Sequence, residues 1–163
     1  MIEYQIRLES FSDKTSFFQA QPDFLTITKT PMNRIYSVQI NPLLLKYYPG
    51  DLAIQAIGVH ELFHISDYIN MNSTQLLGLG VIYGLIGANH KISTELVINY
   101  ERKTDERTLA LGFSEGLKLY RFWLYKMIAL VPGAIEWKQR AYCTPAEIDQ
   151  FVVNQSCRIT NER

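Results

Sequence analysis

The sequence lacks most of the features that place a protein quickly. Its 163 residues hold two cysteines, Cys143 and Cys157, in no Cys-x-x-Cys pair. That argues against a thiolate metal site and implies no disulfide-framed scaffold, leaving at most one bridge between the two. There is no charge of one sign: 16 Lys+Arg face 16 Asp+Glu. This balance leaves no electrostatic footprint for nucleic acid or for an anionic membrane. Long apolar runs are missing too. The uncharged stretch Leu76–Ala88, with four glycines, would span about 20 Å as a helix, against a hydrocarbon core of about 30 Å. It reads as a packed helix or hairpin, with a lid over a cleft and membrane contact through 76–88 as the alternatives. The N-terminus carries Glu3 and Arg7 and no apolar h-region. No signal peptide is expected, and the cytoplasm is the simplest compartment. No repeat, low-complexity tract or linker divides the chain, so residues 1–163 are expected to form one domain with its own core.

Histidine is also scarce, at three residues, and two of them stand in Val59-His60-Glu61-Leu62-Phe63-His64. On a helix, positions i and i+4 share a face, so His60 and His64 point the same way and can share one metal ion. Glu61 sits about 100° round from His60, where its carboxylate can hold a metal-bound water. With this composition roughly one shuffled chain in 450 carries His-Glu-x-x-His, so the match is informative. The plainer alternative is a pair of core histidines beside a hydrogen-bonded glutamate. It leaves two imidazoles and a carboxylate on a buried helix each in need of a partner.

The surrounding chain reads as α+β. Ile2–Leu8 alternates apolar and polar residues, Phe24–Thr28 carries β-branched residues at strand spacing, and Ile35–Ile40 is a third strand. Together they predict a small, mainly antiparallel N-terminal sheet. The strand at 35–40 is a candidate edge for pairing with an extended peptide, with an ordinary sheet strand as the equal alternative. A helix is expected from an Asp51 N-cap to about Asn70, apolar nearly all round and therefore buried. Gly58 within it is either a place where another backbone passes close or a neutral, tolerated glycine. Further helices are expected from Ser93 or Thr94 to Leu111, from about Glu115 to Leu130, and from Thr144 to about Asn154. The last opens on a Thr-Pro-x-Glu capping box. Residues 134–142 read as irregular.

A hydrolytic zinc site takes three protein ligands and leaves a position for water. The 94–111 helix offers the third. Its wheel puts Val97, Ile98, Glu101, Thr104, Asp105, Thr108 and Leu111 on one face, where bare carboxylates are costly. Glu101 is then the candidate ligand. Asp105, one turn on, is placed to accept the outer N–H of a ligating histidine. Asp67 is the competing ligand, and an ion pair of Glu101 with a Lys or Arg from elsewhere is the non-metal alternative.

These two motifs, His60-Glu61-x-x-His64 and Glu101-x-x-x-Asp105, make the chain resemble the gluzincin metallopeptidases. The likeness is greatest to the family of the CAAX prenyl endopeptidases, the HtpX heat-shock membrane proteases and their soluble relatives, over about residues 34–113. The membrane members carry transmembrane helices where this chain has only 76–88, and Thr104 replaces their usual small residue. The resemblance implies a zincin-like fold. It also implies zinc held by His60, His64 and Glu101, with Glu61 as general base for hydrolysis of a peptide or protein substrate. A catalytically silent zinc-binding interaction or regulatory module on the same scaffold is the second reading, and a metal-free helical binding protein the third. An oxyanion stabiliser would come from His90, Tyr68, Tyr100 or Arg107, with His90 first.

Overall fold

The computed structural model of the protein describes residues 4–86 and 91–161, with side chains described at 4–84 and 94–154. It is α+β: a three-stranded sheet and a helical body. The strands are β1 (Gln5–Ser10), β2 (Phe18–Pro22) and β3 (Ile35–Ile40), in the order β1-β3-β2. β3 is therefore central rather than an edge. It pairs parallel with β1 and antiparallel with β2, so the sheet is mixed where the sequence predicts an antiparallel one.

The reason lies at Asp23. The segment Phe24–Thr28 carries strand-like residues but turns instead. The Asp23 carboxylate accepts from Leu25 N at 2.9 Å, and its carbonyl accepts from Thr26 N at 2.9 Å. Local side-chain capping of this kind outcompetes a ladder. Thr26 Oγ1 then accepts from Ile35 N at 3.0 Å, taking the place of a strand partner, and Ile27 drops into a cluster with Tyr36, Ile65, Tyr68 and Leu76. The strand beside β3 is instead made from Phe18 onward, with Phe17 in the core.

Asn41 caps α1 (Pro42–Lys46), accepting from Leu43 N. Then α2 (Asp51–Asn70) runs over the predicted span, with Gly50 rather than Asp51 at its N-cap position. α3 (Ser73–Ile86) covers most of the glycine-rich stretch; Leu76 faces the core, while Leu77 and Val81 are exposed. Residues 87 and 88 of that stretch fall outside the description. α4 (Lys91–Ala110) buries the predicted face through Val97, Ile98, Glu101, Thr104, Asp105 and Thr108. Leu111 departs from it and is exposed, because the helix has already ended and Gly112 turns the chain at φ 89°.

α5 (Ser114–Ile128) packs Leu117, Tyr120, Leu124 and Ile128 inward, the last three against Ala53 and Ile57 of α2. The close approach is made by Gly116, where an added Cβ would stand 2.2 Å from the Leu52 carbonyl oxygen. At Gly58 the same atom would meet open space, so of the two readings the tolerated glycine holds and the close approach does not. Residues 134–141, read as irregular, form α6 (Ala134–Ala141). Its buried residues are Ala134, Lys138 and Ala141, with Ile135 packed on the core beside them, so a lysine stands at an inward position. α7 (Pro145–Asn161) opens on the predicted capping box: Thr144 N donates to Glu147 Oε2 at 2.8 Å, and Glu147 N to Thr144 Oγ1 at 3.3 Å. Cys143 is a buried free thiol; the Cys157 side chain lies outside the description. Among the described residues no helix is long and apolar enough to cross a membrane.

Candidate metal centre

α2 and α4 pack side by side and turn their polar residues toward each other. His60 and His64, one turn apart on α2, meet Glu101 of α4 in the interior, and all three residues are at most 6 % exposed. His60 Nε2 and His64 Nε2 are 3.1 Å apart, and Glu101 Oε2 lies 3.3 Å and 3.2 Å from them. A tetrahedron built on zinc–ligand bonds of about 2.0–2.1 Å has edges of about 3.3 Å, so the three donor atoms fit one face of it. The donor set, two imidazoles and one carboxylate, also suits zinc.

The second partners of these ligands follow the same logic. His60 Nδ1 stands 2.9 Å from Asp105 Oδ1, within ion-pair reach though not aligned as a hydrogen bond, so Asp105 is placed to favour the proton on Nδ1 and the Nε2 lone pair toward Glu101 and His64. Asp105 is itself held by Arg121 Nη2 at 2.7 and 2.9 Å and by the Cys143 backbone N–H at 2.8 Å. Tyr83 of α3 donates to the other oxygen of Glu101 at 2.6 Å. His64 Nδ1 is buried with no hydrogen-bond partner among the described residues.

Electrostatically the cluster calls for positive charge. Burial alone would lower the pKa of His60, but the Asp105 and Glu101 carboxylates, with the field of Glu61, push it up to about 10. Burial also opposes charge on Glu101, yet His64 and His60 hold its carboxyl well below the usual range. A proton on an imidazole meets this demand in the bare site. A divalent cation among the three donor atoms would also meet it, satisfying all three lone pairs at once.

Glu61 points elsewhere, into a cleft of about 440 Å³ that also exposes His64 and Glu101. Its Oε2 accepts from Ala20 N of β2 at 2.7 Å. Burial raises its carboxyl above the ordinary range, while the fields of His60 and His64 pull the other way. A carboxylate with raised pKa suits general-base work near neutrality.

The sequence-derived candidates divide clearly. His60, Glu61, His64, Glu101 and Asp105 come together. Asp67, the competing ligand, lies apart from the cluster, where Arg107 Nη1 grips it at 2.8 and 2.9 Å. That pair engages Arg107, one of the oxyanion candidates, with Asp67. Tyr68 lines the cleft, but its hydroxyl donates to the Ala20 carbonyl at 3.3 Å. Tyr100 packs its ring 4.9 Å from that of His64. His90 falls outside the described residues.

The sequence reading missed Tyr83, Arg121, Lys138 and Tyr142, which also line the cleft. Arg121 carried a signal. It interrupts the stripe Leu117, Tyr120, Leu124 at an inward position, and a charge there needs a buried partner.

Compared with family models, curated proteins and solved structures, the chain matches none.

Proposed function

We propose that this chain is a zinc-dependent metallopeptidase with a zincin-like arrangement of its two motif helices. The observation that carries the reading is the buried triangle of His60 Nε2, His64 Nε2 and Glu101 Oε2, 3.1 to 3.3 Å on a side, with Glu61 facing the adjoining cleft. A structural zinc site closes with a fourth protein ligand, and among the described residues the cluster offers three.

Bound zinc would lower the pKa of a coordinated water towards about 7 and polarise a substrate carbonyl. The chain's own residues do the rest. Glu61 takes a proton from the attacking water, with the Ala20 N–H fixing the orientation of its carboxylate, and later delivers that proton to the leaving amine. Asp105 orients His60, Arg121 balances the charge of Asp105, and Tyr83 holds Glu101 by its second oxygen. The apolar walls of the cleft, among them Ile57, Leu76, Leu79 and Leu124, restrict water.

One observation favours the silent zinc-binding module. The outward N–H and C=O of Ala20, on the β2 edge beside the cleft, are already taken by Glu61 and Tyr68. An extended peptide that adds to this edge as a strand must displace both. Glu61→Gln decides between the two. The peptidase reading expects hydrolysis of a mixed peptide library by the zinc-loaded wild type and a loss of at least about 100-fold in the variant with zinc content unchanged. Absence of cleavage by a fully zinc-loaded wild type leaves the silent module.

A further inference from the structure

α6 brings a second charged group to the cleft. Lys138 is 7 % exposed and lines the same cavity as Glu61, His64 and Glu101. Among the described residues its ammonium makes no hydrogen bond or ion pair; its near contact is the Tyr142 ring, 5.2 Å from Nζ to centroid. The acids around it are committed elsewhere. Glu101 belongs to the triad, Glu61 accepts from Ala20 N, and Asp13 accepts from the Thr15 and Ser16 backbone. They reach Lys138 only through their fields, and Arg121 opposes them. Arg121 gives Nη2 to Asp105, which holds its charge, while its Nε is buried with no partner among the described residues. The stem of Lys138 is buried and its ammonium reaches the cavity without an acidic partner; folded chains almost always pair a lysine this deep. Here the unpaired face looks into a cavity beside the proposed scissile position.

We propose that Lys138 binds a carboxylate of the substrate, and that the preferred substrate is a short peptide with a free C-terminal carboxylate placed next to the bond to be cut. The size of the cleft agrees. About 440 Å³ lies within the usual range for small-ligand pockets, and at about 3.3–3.6 Å per residue it accommodates a few residues. A charge-assisted hydrogen bond in such a setting is stronger than a neutral one and is lost when the carboxylate is replaced by an amide. The proposal rests on the peptidase reading for the scissile bond, but the binding it requires is testable without catalysis.

The test uses an N-acetylated apolar tripeptide as the free acid and as the C-terminal amide, titrated calorimetrically into the zinc-loaded full chain carrying Glu61→Gln. The acid is expected to bind at least about 10-fold tighter than the amide, by the difference between charged and neutral hydrogen bonds. Adding Lys138→Met, which keeps the stem of the side chain and removes its charge, should equalise the two; Lys138→Arg should keep most of the preference. Equal binding of acid and amide, no binding of either, or a preference that survives Lys138→Met would each overturn the proposal. Lys138→Met should also raise the Tm, whereas a lysine kept for structure would lower it on removal. A wild type that binds the acid selectively through Lys138 yet never cleaves it would refute the peptidase reading and leave the carboxylate site standing.

Discussion

Two charged regions flank the histidine pair, and they are built in opposite ways. Behind it, Asp105 is fully buried, receives Arg121 and the Cys143 N–H, and stands 2.9 Å from His60 Nδ1. Burial opposes the charge on Asp105, but Arg121 beside it holds the carboxyl below its usual value. In front, Lys138 is almost as deeply buried and has no acidic partner within ion-pair reach among the described residues. Burial pulls its pKa below the ordinary lysine value. On one side the opposite charges are paired, though Arg121 Nε is left without a partner; on the other a charge faces a cavity with no acid beside it. Closed charges hold a ligand in place; an open one has room for a group from outside.

Breaking the closed side should have the largest effect. Arg121→Met leaves the Asp105 carboxylate buried without its cation, and stability should fall by about 3–5 kcal/mol, read from the denaturant midpoint at constant m. An unchanged midpoint would mean that Asp105 takes its charge balance from another group. Asp105→Asn is milder. It retains a hydrogen-bond acceptor for His60 but removes the charge, and zinc affinity measured by competition with a chelator should fall about 10- to 100-fold. A change under 2-fold would break the link between the two helices that this account assigns to it. The open side should respond with the opposite sign. Lys138→Met should stabilise the chain by about 0.5–2 kcal/mol, as expected when a residue kept for function at a cost in stability is removed.

The candidate site was more legible in the sequence than the sheet was. His60, Glu61 and His64 declare themselves because scarce residue types recur at helical spacing on an apolar helix. Glu101 and Asp105 follow because carboxylates on an apolar face need a reason to be there. The sheet depends on competition between local turns and ladders. At Asp23 a side-chain cap decides the matter against the β-branched residues that follow. The order β1-β3-β2 comes from how the connections cross, which no residue pattern records. α6 was missed because its inward face carries Lys138, so the residue that hid the helix is the one that distinguishes the cleft. Arg121 was within reach as a charge inside an apolar stripe, but its partner could not be named before α4 and α5 were seen to pack.

The central claim is that His60, His64 and Glu101 hold one zinc ion while Glu61 does not. Zinc content by mass spectrometry of the purified wild type, Glu61→Gln and Glu101→Ala tests it directly. The account predicts about one zinc per chain in the first two and much less in the third. Wild-type protein without zinc, or Glu101→Ala with a full complement, would contradict it.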